Sequence, residues 1–409
     1  MTNRRNALLR TRRTLLGTVA VGLFGPSFLV PAWSQTKPVA GGARKIVVGQ
    51  SVPLTGAASE IGLAFAGGAK LFFDAHNARK DNPGFTFDLK QLDDGYVAKQ
   101  AGDNAKKMLA EGVDVLFGFV GTASSEAAAG VAKAEGATLF GPFAASDTLR
   151  GADFPSVFHV RPSLADEAMR MVRHTSTLGQ NRIAVLAEDD AMGRAGLAAV
   201  NAAIAELKLP PLVAHAFVPA NSDKVEAAVA ELAKAQPQAI IQVALFNTTA
   251  AFIRKMRRTG YAGGFLNFSV VGIDPLFTAL GKEIGGVVVS QVVPSPRSSA
   301  TPIVKEYLAA IDNSDQSPSY ESLEGYIAAK SLAEAVRRAG KGFDKAGLQR
   351  VMTAMTNYDV GGFRINLRAG LRGQRQDHDG FGLEMAHVET LVQHPPHSSP
   401  EAEPAADSK

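Results

Sequence analysis

The chain has 409 residues and no cysteine, with 46% hydrophobic and 20% charged residues. That composition excludes a disulfide framework, a thiolate nucleophile, a Cys-ligated zinc or iron–sulfur centre and a lipidated cysteine anchor. The formal charge of +4 falls to −1 once Arg4, Arg5, Arg10, Arg12 and Arg13 of the first 34 residues are set aside, so the rest has no basic excess for nucleic acid.

Residues 1–34 have the layout of an export signal. Thr11-Arg12-Arg13-Thr14-Leu15-Leu16 precedes an apolar run from Thr18 to Val30, and Ala32-Trp33-Ser34 supplies a small-x-small cleavage site. The order Thr-Arg-Arg-x-Leu-Leu matches a twin-arginine signal, with an ordinary Sec signal as the alternative. Gly22, Gly25, Pro26 and Pro31 break a run already shorter than the ~20 residues of a membrane span. The mature protein is therefore expected in the periplasm, with no membrane anchor.

A Pro/Gly-rich linker over 35–44 leads into alternating strand and helix patterns. Ile46–Gln50 predicts a strand, Ile61–Ala78 a helix, Phe85–Leu92 a strand and Ala98–Glu111 a helix. Val113–Phe119, Ser124–Gly136 and Thr138–Phe140 continue the series as strand, helix and strand. The rhythm restarts with strands over Arg182–Ala187, Leu212–Val218, Ala239–Leu245, Phe265–Val270 and Gly286–Val293. Helices over Gly196–Leu207, Val225–Ala235 and Thr249–Thr259 lie between them. A helix over Ser317–Gly340 and late strands at Phe363–Ile365 and Gly382–Val392 follow. This alternation predicts an α/β protein with two similar lobes built on parallel sheets. The tail, 393–409, is Pro/Ser/Glu/Ala-rich and is expected to be disordered.

Catalytic signatures are missing: there is no Walker A loop, G-x-G-x-x-G, G-x-S-x-G or H-E-x-x-H, and the histidines are scattered. No cofactor or metal is implied, and a secreted hydrolase is disfavoured. The loops after the strands carry the signal instead. Pro53-Leu54-Thr55-Gly56, Gly121-Thr122-Ala123-Ser124-Ser125 and Gly141-Pro142-Phe143-Ala144-Ala145-Ser146 place small hydroxyl residues ahead of helices. Ligands bind outside the carboxyl ends of strands in such sheets, and helix N-termini suit a carboxylate. Each of Thr55, Thr122, Ser124 and Ser146 can equally be an ordinary N-cap.

Val47–Gly56, Gly118–Ser125, Gly141–Arg150, Phe158–Glu167, Asp189–Gly196, Val287–Pro296 and Tyr320–Ala328 together resemble type I periplasmic binding proteins. The resemblance is to the branched-chain amino-acid (leucine/isoleucine/valine) substrate-binding subunits of ABC importers, and it runs from about Lys45 to Val392. It implies two Rossmann-like lobes, 45–161 with 295–343 and 162–294 with 344–392, joined by a three-strand hinge. The crossings are expected near Arg161-Pro162, Pro294 and Lys341–Asp344.

The resemblance also implies a ligand site. The α-carboxylate would meet Val120 to Ser124, with Thr122 as hydroxyl donor, and the α-amino group would face Ala144 and Ala145. Met192 and Leu245 or Phe246 would come from the second lobe, and Thr55 and Phe143 complete the candidate set. One position departs from the pattern: where the amino-acid binders carry a Glu that pairs with the ammonium, this chain has Ser269. Asp189, Asp190 and Asp274 are the acids nearest in sequence. The implied function is capture of a small carboxylate-bearing solute for an inner-membrane ABC permease. A branched-chain or hydrophobic amino acid is one reading of the solute, and an aromatic or other acid lacking an amine is the alternative. A sensory protein that presents its ligand to a receptor is a further alternative.

Overall fold

A computed structural model describes residues 43–81, 84–340 and 343–367, and the backbone of 382–386. The expected signal and the C-terminal tail lie outside the described residues.

The first sheet is parallel, in the order β2-β1-β3-β4-β5. Its strands are β1 (Arg44–Val52), β2 (Phe85–Asp93), β3 (Val115–Phe117), β4 (Leu139–Phe140) and β5 (Val157–Phe158). Helices α1 (Ser59–Asn77), α2 (Ala98–Ala110) and α3 (Thr122–Ala134) connect the first four strands. β3 is buried at every residue, as expected of a parallel strand covered on both faces.

The second sheet has the order β13-β10-β9-β8-β6-β7. Strands β6 (Ile183–Glu188), β7 (Ala214–Val218), β8 (Ala239–Val243), β9 (Gly264–Asn267) and β10 (Val287–Gln291) are parallel, and β13 (Gly382–Ala386) closes the edge antiparallel to β10. Its helices are α4 (Leu164–Thr177), α5 (Ala191–Glu206), α6 (Glu226–Lys234), α7 (Phe246–Arg258) and α8 (Ile273–Leu280). α4 begins with a capping box in which Ser163 and Asp166 satisfy each other's backbone N–H.

The chain passes from the first sheet to the second through His159–Ser163 and returns through Val292–Thr301. Helices α9 (Pro302–Ile311) and α10 (Tyr320–Ala339) then lie against α1. The approach of α10 to α1 is close enough to require glycine on both sides. A Cβ on Gly68 would sit 1.8 Å from the Ser322 carbonyl oxygen, and one on Gly325 would sit 2.1 Å from that of Phe65.

The next segment corrects one expected boundary. Residues 343–367 do not join the second lobe. Helix α11 (Lys345–Ala354) and the hairpin β11 (Tyr358–Asp359)–β12 (Arg364–Ile365) stay with the first. Arg44 donates to the Phe343 carbonyl at 2.8 Å, Gln349 to Thr138 at 3.1 Å and the Ile303 N–H to Gly361 at 3.0 Å. Buried Phe343, Leu348, Met352 and Phe363 fix this docking, and among the described residues after 343 only β13 pairs with the second sheet. Among the described residues no helix is long and apolar enough to cross a membrane.

Candidate functional site

The carboxyl ends of both sheets face one closed cleft. It is lined by Ala58, Ile61, Tyr96, Val120, Gly121, Thr122, Phe143, Ala144 and Ala145 on one side, and by Leu164, Met192, Leu245 and Val270 on the other.

The first wall is built from loops that are stitched together. Val120 and Phe143 form a β-bridge, with the Phe143 N–H donating to the Phe119 carbonyl at 2.8 Å and the Gly121 N–H to that of Phe143 at 3.0 Å. Gly121 stands just before α3 with φ 95°, where a side chain is strained, and a Cβ there would meet the Tyr96 ring at 2.5 Å. Thr122 opens the helix, buried but facing the cleft, and no partner for its hydroxyl is present among the described residues. The first N–H groups of a helix have no carbonyl a turn before them and carry partial positive charge. This end of the cleft therefore offers donors.

Tyr96 is aimed by a pair of aspartates. Its N–H donates to Asp94 Oδ1 at 2.9 Å, and the Gly95 N–H donates to Asp93 Oδ1 at 2.9 Å. Ser51 Oγ donates to Asp94 Oδ2 at 2.8 Å, and Asn104 donates to Ser51 Oγ at 3.0 Å. The Tyr96 phenol edge reaches the start of α3, with its hydroxyl 3.1 Å from where a Gly121 Cβ would stand. Burial, then the charges of Asp190 and Glu188 from the opposite lobe, hold this phenol protonated well beyond the usual tyrosine range.

The sequence-derived candidates divide accordingly. Val120, Thr122, Phe143, Ala144, Ala145, Met192 and Leu245 line the cleft. Thr55 does not: its hydroxyl donates to Asp93 Oδ2 at 2.6 Å and latches the loop below Tyr96, which is the main reason the Asp93 carboxyl titrates low. Ser124 is buried inside α3, and Phe246 is buried in the first turn of α7, both outside the lining. Tyr96, Ala58, Ile61, Leu164 and Val270 were not anticipated. The loop after β2, Asp93-Asp94-Gly95-Tyr96, carries the same position after a strand as the loops that were singled out.

Ser269 also lies outside the lining, in a short 3-10 turn (Ser269–Val271) that turns Val270 to the cleft instead. Its hydroxyl donates to Glu167 Oε1 at 3.1 Å and accepts from Arg161 Nη2, and its N–H donates to Glu167 Oε2 at 2.8 Å. Ser290 donates to the same carboxylate. The Arg161 guanidinium is fully buried, 4.3 Å from the centroid of the Phe143 ring, with its Nε 3.5 Å from Glu324 on α10. Arg161 thus ties the crossing segment to both lobes directly behind the cleft. Burial raises the Glu167 carboxyl, opposed by Arg161, and burial pushes Glu324 up to about 7.

The acids proposed from sequence as substitutes are engaged elsewhere. Asp189 pairs with Arg194 at the surface, and Asp274 pairs with Arg297 at 2.8 Å. Asp190 caps α5, accepting the Gly193 N–H at 2.7 Å. Among the described residues, no group of three or more His, Asp or Glu side chains is placed to hold a metal.

Comparison with known proteins agrees with this architecture. No curated protein matches the chain. A possible leucine/isoleucine/valine-binding protein from Rhodopirellula baltica SH 1 superposes with a TM-score of 0.75 at 29% identity, over 81% of this chain and 92% of that one. A substrate-binding periplasmic protein from Ralstonia solanacearum gives a TM-score of 0.72 at 30% identity, over 80% of this chain and 95% of that one. A fatty acid ABC transporter substrate-binding protein from Thermomonospora curvata shares the fold, with a TM-score of 0.72 at 18% identity over 80% and 87% of the two chains. The family model described as periplasmic binding protein matches residues 45–385, and the chain belongs to that family, with the type I fold.

Proposed function

We propose that this protein is the exported solute-binding component of an ABC importer. It captures a small carboxylate-bearing solute in the periplasm and delivers it to an inner-membrane permease, without catalysis. The observation that carries this reading is the polar end of the cleft: the free Thr122 hydroxyl, the start of α3 and the Tyr96 phenol converge on a cavity whose other walls are hydrocarbon. A carboxylate is the group that such donors accept. The likeness to the Rhodopirellula protein supports a hydrophobic amino acid as one solute of this class.

Capture works by closure about the crossings between the lobes, His159–Ser163 and Val292–Thr301 among them. The first lobe supplies the hydrogen bonds and the second covers the apolar body. Only a bound solute makes contacts with both at once, so binding shifts the population to the closed form. Thr122→Ala removes one charge-assisted hydrogen bond and should weaken solute binding by about ten- to a hundredfold. The melting temperature of the solute-free protein should barely change. Isothermal calorimetry checks it; unaltered affinity would reduce Thr122 to a helix-end residue.

A further inference from the structure

The seam between the lobes, behind the cleft, holds more acids than it holds cations. Glu321 and Glu324 lie one turn apart on the same face of α10, in the first lobe, and both are buried. Arg161 Nε is 3.5 Å from Glu324 Oε1, while Arg161 Nη2 donates to Ser269 Oγ. That hydroxyl and the Ser269 N–H hold Glu167 of the second lobe. Arg161 therefore sits between buried carboxylates of opposite lobes. At the return crossing Arg297 pairs with Asp274 of α8 at 2.8 Å, and the Asp274 charge acts on Glu321. Asp274 Oδ2 is buried with no partner among the described residues. The other charges nearby do not restore the balance. Arg150, which donates to the Arg161 and Pro162 carbonyls, is matched by Asp147 and Asp166. His159 is kept neutral by burial and by the charge of Arg150, and burial holds the Tyr307 phenol of α9 up at about 12. On its other flank α10 meets Phe65, Gly68 and Ala69 of α1.

We propose that closure of the lobes takes up protons at this seam, so that the closed form is favoured by acid and weakened as the pH rises. The proposal rests on lobe closure, as read above, and not on the identity of the solute. With the lobes together, Glu167 and Glu324 compete for Arg161, and Glu321 lies beside an Asp274–Arg297 pair whose charges already cancel. A buried carboxylate without a cation of its own is cheaper protonated than ionised. The lobes touch beside the seam, where a Cβ on Gly272 would stand 3.2 Å from the Ile61 side chain of α1. Parting them draws α10 away from the second lobe, water reaches the carboxylates and the protons leave. Burial raises both Glu321 and Glu324 to about 7 in the closed arrangement, against roughly 4.3 in water. A group whose pKa is higher in the closed form favours closure below its open-form value and loses that effect as pH rises through its closed-form value. Closure should therefore weaken from about pH 4.5 to 7 and level off above.

Electron–electron double resonance on the solute-free protein tests this. Because the chain has no cysteine, Leu63→Cys and Lys224→Cys, exposed positions on opposite lobes, each take one spin label. The ratio of short to long separations should rise roughly tenfold or more between about pH 8 and about pH 5, a factor of ten for each unit of pKa difference. Glu321→Gln with Glu324→Gln leaves Glu167 to Arg161 and Asp274 to Arg297. In that variant the rise should shrink to within about twofold, and the closed fraction at pH 8 should exceed the parent's. Should the variant not fold, the pH series of the parent decides alone. Two separations whose weights ignore pH overturn the inference and leave lobe closure intact. A variant that keeps the parent's full pH response places the protons elsewhere and overturns the assignment to this seam. A single separation at every pH overturns the inference and closure together.

Discussion

The two walls of the cleft are built on sheets of the same kind, yet they differ in chemistry. The first wall ends in donors: a helix start, a threonine hydroxyl and a phenol, each held by loop hydrogen bonds. The second wall ends in Leu164, Met192, Leu245 and Val270, with Glu167 held by Ser269 and Asp190 capping α5 behind them. The difference teaches a division of labour. On the proposed function, the first lobe would select the functional group of the solute, and the second the size and shape of what is attached to it.

The harshest way to break this comparison is to remove what both walls lean on. Arg161→Met leaves Glu167 and Glu324 buried without their shared cation, and should cost about 3–5 kcal/mol of stability. Urea denaturation measures it; a variant as stable as the parent would show that the cluster is not a support. Gly121→Ala attacks the first wall alone. The backbone there is left-handed and Tyr96 blocks the Cβ, so the strain should be about 1–3 kcal/mol and solute binding should be lost with it. Wild-type affinity by calorimetry would contradict the placement of Tyr96.

Met192→Ala sharpens the comparison instead. It trims the second wall, so affinity for the best solute should fall by about tenfold, in line with the loss of part of a buried methionine contact. The preference should move toward larger apolar bodies while the need for a carboxylate is kept. A change in functional-group preference would contradict the division between the walls.

The last effect is a pH dependence in the crossing region behind the cleft. Burial first, and then neighbouring Asp274, raise the Glu321 carboxyl to about 7, against roughly 4.3 in an unfolded chain. Between these values the folded state keeps a proton that the unfolded state has released. Stability should therefore decline as pH rises from about 4.5 to 7 and level off above. Glu321→Gln should make that decline shallower, with Glu324 supplying what remains. Melting curves from pH 5 to 8 check this, and an unchanged slope would contradict it.

The sheets were legible in the sequence because parallel strands buried on both faces read as short apolar runs, as in Ala239–Val243 and Ile183–Glu188. Helix α4 was not, although its Ser163–Asp166 capping box is a sequence signal; its apolar residues are interrupted by Asp166, Glu167, Arg170 and Arg173. Helices α8, α9 and α11 were also passed over. The lobe to which 343–367 belongs depends on docking through Phe343 and Met352, contacts that no local pattern encodes. At the site, loops after strands pointed to Thr122, Phe143 and Ala145. Position 269 misled, because the 3-10 turn rotates its side chain away from the cleft and exposes Val270. Tyr96 depends on a backbone φ of 66°, which is uncommon for a residue of its size.

A crystal structure with the tightest-binding carboxylate solute tests the central claim most directly. The carboxylate oxygens should lie within hydrogen-bonding distance of the Thr122 hydroxyl and the first N–H groups of α3, with the hydrocarbon against Met192 and Leu245. A carboxylate bound instead at the second wall, or a solute held outside this cleft, would contradict the account.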